Sequence, residues 1–302
     1  MKIGKDRLIS FGALAISKLL PDGKSKELLR RNYYRRYNPL YNLDKKLSKL
    51  ELLENDILFV ELDNGLKFYG LKEEIPFFWM KYGDPRKLGK LKGYSLFSQF
   101  FSMLDKIIYR STYEEYCQPE RGDIVVDLGA NVGVFSVKVA KIVGDEGRVI
   151  AIEPEPDNFA LLLKNIRANE LENVIPIQKG VWSKKDKLKL HLSKYPECHS
   201  FYGTNNPNRL MVVEVDTLDN ILRELGIKGV DFIKMDIEGS EIEALKGMGE
   251  TLRKEVKLAI AAYHSISGKP TYKTIIPQLN KSGFEVHHTK EGIIYARKTT
   301  LS

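Results

Sequence analysis

From residue 122 onward, short apolar runs alternate with amphipathic segments, and this alternation limits the possible folds more than any other feature. Short apolar runs predict buried strands, and apolar residues at helical spacing predict helices. Strands that alternate with helices form a parallel, doubly wound α/β sheet with right-handed crossovers. The predicted strands are 123–127, 148–153, 173–178, 231–236 and 257–263, and the predicted helices are 132–142, 157–169, 240–245 and 272–280.

Two features modify this sheet. Segments 284–287 and 292–297 predict a closing hairpin, which adds an antiparallel edge. An insertion of roughly residues 182–215 separates the third and fourth strands, with strand-like alternation at 187–192 and a polar loop at 203–208. A long insertion at the rim that carries the ligand is more often functional than accidental.

Residues 1–118 differ in character and are predicted to form an α+β extension that caps the substrate, leaving 119–302 as a second domain. The turn Asp63-Asn-Gly65 between strand-like segments predicts a hairpin, and apolar spacing predicts a helix over 96–110. Segment 8–20 is apolar but shorter than a bilayer span. A packed or interfacial amphipathic helix is therefore favoured there over a targeting segment.

The charge and the cysteines restrict partners and location. Among 302 residues, Lys and Arg outnumber Asp and Glu by 48 to 40, and the net charge of +8 favours nucleic acid, phosphorylated metabolites or a membrane surface. The two cysteines, Cys117 and Cys198, form no C-x-x-C pair. This spacing argues against a disulfide framework and a thiolate zinc site, and a reducing, cytoplasmic location is expected.

The turn after the first strand of the sheet is predicted to hold a nucleotide-like ligand. The strand ends at Asp127, and the segment 127–133 reads Asp-Leu-Gly-Ala-Asn-Val-Gly. Small residues there allow close approach of the backbone, and the following helix offers N–H groups at its amino end. Glu153 ends the second strand, where its carboxylate can accept hydrogen bonds from both hydroxyls of a ribose.

The glycine pattern also restricts the class of cofactor that the turn can bind. A dinucleotide fingerprint requires G-x-G-x-x-G, but its second and third glycine positions are Asn131 and Val134 here. The chain also lacks the G-x-x-x-x-G-K-[ST] motif of P-loop nucleotidases. A cofactor with ribose and adenine but no pyrophosphate fits better, and S-adenosylmethionine is the common one.

Three motifs together resemble the FkbM family of methyltransferases. They are V-D-L-G-A-N-V-G-V-F-S at 126–136, Glu153-Pro154, and F-I-K-M-D-I-E-G-S-E at 232–241, within a resemblance that covers 122–264. The resemblance implies a class I, Rossmann-like fold with a seven-stranded sheet, S-adenosylmethionine as methyl donor, and O-methylation of a hydroxyl on a sugar, glycan or other small molecule. The glycine-turn, ribose and acidic strand-four positions of the family correspond here to Gly129, Asn131, Gly133, Glu153 and Asp236. Asp127 and Ala130 of the same turn are also predicted to contact the cofactor.

In folds of this kind, adenine lies against residues that follow the third strand. Those residues here include Val181 and Trp182, which are candidates for backbone contact or stacking. A role for Trp182 in packing the core or a hairpin is an equal alternative.

The predicted catalytic residues are Asp236, Glu238 and His264. An alcohol is a poor nucleophile at neutral pH, so a hydroxyl acceptor needs a group that takes its proton. Asp236 ends the fourth strand, Glu238 follows it, and His264 comes after the fifth strand, either as a base or as an ordinary loop histidine. Lys234 and Glu241 belong to the same candidate cluster. Stabilising the start of a helix is the favoured role of Glu241, and pairing with a carboxylate is the alternative role of Lys234. A divalent metal on these side chains is conceivable, but the interpretation without a metal is favoured.

Three alternatives stay open. A nucleic-acid methyltransferase would use the basic, aromatic segment 30–37, although the [DN]-P-P-[YFW] motif of amino-group methylation is replaced by D-I-E-G at 236–239. A catalytically inactive binding module is disfavoured by the carboxylates Asp236 and Glu238. Peripheral membrane contact would suit the apolar segment near the start of the chain.

Overall fold

The computed structural model describes residues 43, 45–71, 99–193, 199–202, 209–266 and 268–298. The chain divides into two compact units, one comprising residues up to Leu66 together with Leu71–Asp105, the other Lys67–Gly70 together with Lys106 onward. The interpretations of segments 8–20, 30–37 and 203–208 lie outside the described residues.

In the first unit, β1 (Leu47–Leu52) pairs antiparallel with β2 (Ile57–Leu62). Alternate residues of β2 are buried, as expected for a strand with one face on a core. The predicted turn, with Gly65 at φ 82°, connects β2 to β3 (Lys67–Leu71). The helix predicted over 96–110 begins in the described region as α1 (Gln99–Leu104), which buries Phe100, Phe101 and Leu104, and a π-helical turn (Asp105–Tyr109) follows it.

Besides Lys67–Gly70 of β3 and the π-helical turn from Lys106 onward, the second unit contains the remaining elements. Its strands are β4 (Ile124–Leu128), β5 (Arg148–Ile152), β6 (Val174–Ile177), β7 (Gly180–Val181), β8 (Asp186–His191), β9 (Leu210–Asp216), β10 (Phe232–Met235), β11 (Lys257–Ala261), β12 (Ser265–Ile266), β13 (Lys269–Pro270), β14 (Phe284–His288) and β15 (Ile293–Lys298). Its helices are α2 (Val134–Val143), α3 (Pro156–Ala168), α4 (Leu218–Glu224), α5 (Glu241–Lys246) and α6 (Tyr272–Lys281).

A seven-stranded sheet in the order β14-β15-β11-β10-β4-β5-β6 forms the centre of this unit. The strands from β11 to β6 are parallel, while β15 runs antiparallel to both β11 and β14. The predicted doubly wound sheet and its closing hairpin are therefore confirmed. The chain winds outward from β4 to β6 and then returns to β10, so the strand order reverses between β4 and β10. In open α/β sheets, ligands bind at this reversal, beyond the carboxyl ends of the strands.

The central strands are continuous apolar runs because helices cover both faces of a parallel sheet. All four residues of β10 are buried, and α2 buries seven of its ten residues. Lys234 is the charged residue in β10, and it is only 4% exposed. A buried lysine requires a partner, so its surroundings are described with the site.

The insertion forms a sheet of its own, in the order β7-β9-β8. Strand β8 matches the alternation predicted at 187–192, and it pairs antiparallel with β9 around a small apolar cluster of Leu190, Val213 and Val215. The sequence interpretation did not include β9 or α4. No helix among the described residues is both long and apolar enough to cross a membrane.

Candidate active site

Asp127, at the end of β4, is fully buried, and both of its carboxylate oxygens have protein partners. The Ser136 hydroxyl donates to Oδ2 at 2.6 Å, and Lys234 Nζ lies 2.9 Å from Oδ1. Lys234 also donates to the carbonyl of Gly129 at 2.7 Å, so it links β10 to the glycine turn. Lys234 thus has its alternative role, pairing with a carboxylate. Direct contact of Asp127 with a cofactor stays a prediction. In the structure, Asp127 holds Lys234, which in turn bonds the carbonyl of Gly129 in the turn.

The two glycines of the turn are required by the protein's own packing. Gly129 and Gly133 have φ angles of 73° and 87°, which favour glycine. A Cβ on Gly129 would lie 2.0 Å from the carbonyl oxygen of Asp236, and one on Gly133 would lie 2.5 Å from Leu162 Cδ1. The missing side chains therefore let the turn approach β10 and α3, and close approach of a ligand to these glycines stays a prediction.

The N–H groups of the turn also find partners within the protein. Gly129 and Ala130 both donate to the carbonyl of Ile152, and Gly133 donates to that of Ala130. Asn131, in a left-handed conformation at φ 52°, donates to Glu153 Oε2. These bonds fix the turn against the end of β5 and bring Asn131 next to Glu153.

Glu153 follows β5 and is 6% exposed. Its Oε2 accepts from the Asn131 N–H at 2.9 Å and its Oε1 from the Glu155 N–H at 3.0 Å. Burial raises the pKa of Glu153 to about 7, although both of these backbone hydrogen bonds oppose the shift.

These residues fit the expected cofactor. Each carboxylate oxygen can accept a second hydrogen bond. Glu153 therefore keeps acceptor capacity for the two hydroxyls of a ribose, beside a turn that the structure holds rigid. S-adenosylmethionine presents such a ribose, so Glu153 is the residue that would hold it.

Asp236 follows β10 on the other side of the point where the strand order reverses. The hydroxyl of Tyr113 donates to Asp236 Oδ2 at 2.6 Å. Tyr113 is 7% exposed, and burial, together with the charge of Asp236, raises its pKa well above the usual value. Tyr113 is therefore a neutral donor that holds the Asp236 side chain in one orientation.

Glu238 lies on the tight loop between β10 and α5. Its backbone is left-handed at φ 52°, which is uncommon for a residue with a long side chain. The insertion reaches this loop, since the Ser200 hydroxyl donates to the Glu238 carbonyl at 2.7 Å. Burial raises the pKa of Glu238, and the charge of Asp236 adds to this effect while His264 opposes it.

His264 lies beyond β11 and faces both carboxylates. Its Nε2 is 3.4 Å from Glu238 Oε1 and 3.7 Å from Asp236 Oδ1. Its Nδ1 is 2.9 Å from Oε1 of Glu241, which is fully buried at the start of α5. Burial lowers the pKa of His264, but its contacts with Glu238 and Glu241 and the charge of Asp236 outweigh burial and raise it to about 11.

The structure thus brings the three predicted catalytic residues together. One ligand atom from each of Asp236, Glu238 and His264 lies within 4.8 Å of the others, so the group has the geometry to hold a metal ion. Glu241 begins a helix, as expected, but the sequence interpretation missed its contact with His264.

Val181 and Trp182 occupy different surroundings. Val181 is 4% exposed and belongs to the main core, so a cofactor could reach only its backbone. Trp182 packs against the small cluster of the insertion, with its ring centroid 5.5 Å from that of Phe201 and 5.9 Å from that of Tyr202. Packing, the alternative role for Trp182, is therefore present, and stacking on adenine stays a prediction.

Tyr113 and Ser200 are site residues that the sequence interpretation missed. Tyr113 lies before β4, and Ser200 lies in the insertion. No motif marks either residue, because each reaches the site through a contact between residues far apart in the chain.

Comparison with known proteins agrees with this geometry. The model of the methyltransferase FkbM domain matches residues 127–286. A methyltransferase of Sordaria araneosa is 24% identical over 217 residues, which are 60% of this chain and 82% of the relative. A hexuronic acid methyltransferase of Haloferax volcanii is 27% identical over 150 residues, 49% of this chain and 59% of the relative.

Two further similarities extend this comparison. The 31-O-demethyl-FK506 methyltransferase of Streptomyces tacrolimicus is 22% identical over 220 residues, 60% of this chain and 82% of the relative. Among solved structures, Aeropyrum pernix fibrillarin with natively bound S-adenosyl-L-methionine is 18% identical with a TM-score of 0.40, over 83% of this chain and 98% of that one. Since the family match spans more than half of the 302 residues, this protein belongs to the FkbM family of S-adenosylmethionine-dependent methyltransferases.

Proposed function

We propose that this protein transfers the methyl group of S-adenosylmethionine to a hydroxyl oxygen on a sugar, glycan or other small-molecule acceptor. The observation that carries the proposal is the cluster of Asp236, Glu238 and His264 at the carboxyl ends of β10 and β11. This cluster lies next to the turn and the Glu153 carboxylate that fit the cofactor, because Gly129 packs directly against Asp236. The side chains needed to receive a hydroxyl proton are therefore adjacent to the position of the donor.

When bound, S-adenosylmethionine supplies a methyl group on a positively charged sulfur, which leaves as a neutral thioether. Glu153 would hold the ribose, and the turn would place the cofactor beside the cluster. Positioning of this kind is a major part of catalysis when the transferred group is already activated.

The acceptor hydroxyl needs one group to orient it and another to take its proton. Asp236 is held by Tyr113 and is suited to orient the hydroxyl. Glu238 then takes the proton as the oxygen–methyl bond forms. His264, which Glu241 holds in place, lies beside both carboxylates.

Two relatives support the proposed class of acceptor. One is a hexuronic acid methyltransferase and another acts on 31-O-demethyl-FK506, so both names indicate acceptors that are small molecules or sugars. The net charge of +8 is compatible with an acidic acceptor such as a hexuronic acid.

An acceptor panel tests the proposal. The purified chain is incubated with S-adenosylmethionine and hexuronic acids, neutral sugars, polyhydroxylated small molecules or RNA, and formation of S-adenosylhomocysteine is measured. We expect turnover with a hydroxyl-bearing small molecule or sugar and a new O-methyl resonance in the product. Turnover with RNA alone would overturn the proposal in favour of the nucleic-acid alternative.

Two substitutions test the assigned roles. Asp236→Asn and Glu238→Gln should each lower kcat by about 100-fold or more, the scale of general acid–base catalysis. Affinity for S-adenosylmethionine should change little, because Glu153 and the turn remain. Glu243→Gln, on the same helix as Glu241 but paired with Lys246, is the matched control and should retain wild-type kcat. Full activity in both cluster variants would remove Asp236 and Glu238 from the mechanism.

A further inference from the structure

Within the described residues, two buried atoms of the cluster have no hydrogen-bond partner. They are Asp236 Oδ1 and His264 Nε2, and they lie 3.7 Å apart. The His264 side chain is only 10% exposed, so water does not freely replace the missing partner. Burial of an unsatisfied polar atom is costly, and it is therefore tolerated mainly where a ligand completes the site.

The charges of the cluster also favour a bound cation. Asp236, Glu238 and the fully buried Glu241 surround a single histidine. Lys234 does not balance them, because it lies 2.9 Å from Asp127. Among the described residues around His264, carboxylates outnumber cationic groups even when His264 is protonated. A partly buried excess of like charge is unfavourable.

The spacing of the ligand atoms fits one bound ion. Two ligands that each lie about 2.1 Å from a tetrahedral or octahedral cation are separated by roughly 3.0–3.5 Å. The distances of 3.4 Å and 3.7 Å from His264 Nε2 to the two carboxylates are close to this range. Small rotations of the two carboxylates, which are 23% and 26% exposed, would bring both into coordination.

Glu241 supplies an independent feature of metal sites. A histidine that binds a metal through one ring nitrogen usually donates its other N–H to a carboxylate, which fixes the tautomer and the orientation of the ring. Glu241 Oε1 lies 2.9 Å from His264 Nδ1 and also accepts from the Gly239 N–H at 3.0 Å. This arrangement leaves Nε2 directed at Asp236 and Glu238.

We propose that Asp236, Glu238 and His264 form a binding site for one divalent first-row transition cation, with Glu241 as the residue that positions His264. Two carboxylate oxygens and one imidazole nitrogen favour ions such as Mn²⁺ or Zn²⁺ over Ca²⁺, which prefers oxygen ligands alone. Each residue gives one atom, so Glu238 keeps a second oxygen for the proton of the acceptor.

The role of the cation rests on the proposed function. Three protein ligands leave coordination positions open, and a hydroxyl with a neighbouring oxygen, as in a vicinal diol or a 2-hydroxy acid, could occupy two of them. The site therefore selects acceptors that chelate, and an isolated hydroxyl should be a poorer acceptor than one beside a second oxygen.

Direct binding of Mn²⁺ tests the site without acceptor or cofactor. The full chain is treated with a chelator, dialysed, and titrated with Mn²⁺ while the signal of free Mn²⁺ is followed by electron paramagnetic resonance. We expect one tight site per chain, with a nitrogen modulation in the spin-echo spectrum that disappears in His264→Gln. Absence of saturable binding, or the same nitrogen modulation in His264→Gln, would overturn the proposal.

Variants separate the cation site from general surface binding. Asp236→Asn and Glu238→Gln should weaken Mn²⁺ binding at least tenfold, and Glu241→Gln should weaken it by roughly 10–100-fold through the orientation of His264. Glu243→Gln should bind as the wild type does. Thermal unfolding of each variant shows whether it is folded, and unchanged Mn²⁺ affinity in the folded cluster variants would refute the assignment.

The measurement of Mn²⁺ binding can fail or succeed independently of the proposed function. Loss of S-adenosylhomocysteine formation with every acceptor, alongside normal Mn²⁺ binding, would overturn the function and leave the site. Full turnover after chelation, with no saturable Mn²⁺ binding, would overturn the site and leave the function.

Discussion

At the scale of single residues, Glu153 shows how burial and function are combined in one side chain. Acceptance of two ribose hydroxyls, the proposed role of Glu153, favours its ionised form, yet burial raises the pKa of Glu153 to about 7. The two backbone N–H groups that it accepts oppose this shift and hold the side chain in place. Glu153 is therefore poised near neutrality, where a ligand that donates hydrogen bonds would favour its ionised form.

A pH-dependent stability follows for Glu153. Its folded-state pKa of about 7 lies above the usual value of 4.5, so its stabilising contribution is complete below pH 4.5 and is lost as the pH rises through 7. The wild type should therefore lose stability between pH 5 and pH 8, while Glu153→Gln lacks this loss. Over that range, the difference in unfolding free energy between Glu153→Gln and the wild type should rise in favour of Glu153→Gln by roughly 2–3 kcal/mol. Urea unfolding at several pH values measures this gain, and parallel pH curves for the two proteins would contradict it.

The sequence was enough to predict the grouping of some site residues but not the contacts of others. The sequence predicted Asp236, Glu238 and His264 as one group, because the carboxyl ends of neighbouring parallel strands meet at one edge. The sequence placed Glu241 in the same cluster but favoured a local role for it, since an acidic residue at the start of a helix already has a sufficient local reason to be there. Only its contact with His264, 23 residues away, shows the second role.

At the scale of elements, the glycine turn couples the two halves of the sheet. Gly129 lies at the end of β4 and touches the carbonyl of Asp236 at the end of β10. Lys234 strengthens this junction by bonding the Gly129 carbonyl from within β10. A change in the turn is therefore expected to move the Asp236 loop as well.

The substitution Gly129→Ala tests this coupling. The added Cβ would lie 2.0 Å from a backbone oxygen, so we expect a loss of roughly 2–5 kcal/mol in unfolding free energy. Both the affinity for S-adenosylmethionine and kcat should fall, because the turn and Asp236 move together. Calorimetry and steady-state kinetics measure the two effects.

Gly122→Ala provides the matched control. Gly122 has the same sign of φ, at 87°, but a Cβ there meets nothing within 4 Å. Gly122→Ala should lose only about 1–2 kcal/mol of unfolding free energy, because a residue with a Cβ is strained in the left-handed conformation. It should keep its activity. Equal effects of the two substitutions would show that the contact with Asp236 is unimportant.

At the scale of the whole molecule, binding of the cofactor should be measurable as an increase in the stability of the folded protein. A ligand that binds only the folded state adds about 2.7 kcal/mol at a concentration one hundred times its Kd. S-adenosylmethionine should therefore raise the Tm of the wild type. NAD⁺ should not, because the turn lacks two glycines of the dinucleotide fingerprint.

The matched pair for this measurement is Glu153→Ala and Glu170→Ala. The first should reduce affinity for S-adenosylmethionine by roughly 1–3 kcal/mol, the scale of lost hydrogen bonds to a charged group. Glu170 is exposed, and its substitution should leave the thermal shift unchanged. A full thermal shift in Glu153→Ala would refute the assignment of the ribose to Glu153.

The order of strands and helices, the closing hairpin and the family motifs could all be inferred from the chain, because hydrophobic periodicity and turn chemistry act over short stretches. The parallel, doubly wound class of the sheet and the grouping of Asp236, Glu238 and His264 followed from those elements by general rules of parallel sheets, whereas the order of the seven strands came from the structure. Strand β9 was missed because it lies inside an insertion whose pairing partner, β8, is separated from it along the chain.

Long-range packing determined the contacts of the site that the sequence did not predict. Tyr113 holds Asp236 across 123 positions of the chain, and Lys234 bonds Gly129 across 105. No periodicity encodes such pairs, since each depends on where whole elements are placed in the sheet. The glycine turn is the clearest example: its residues were visible in the sequence, but the reason for Gly129, contact with the end of β10, exists only in the folded molecule.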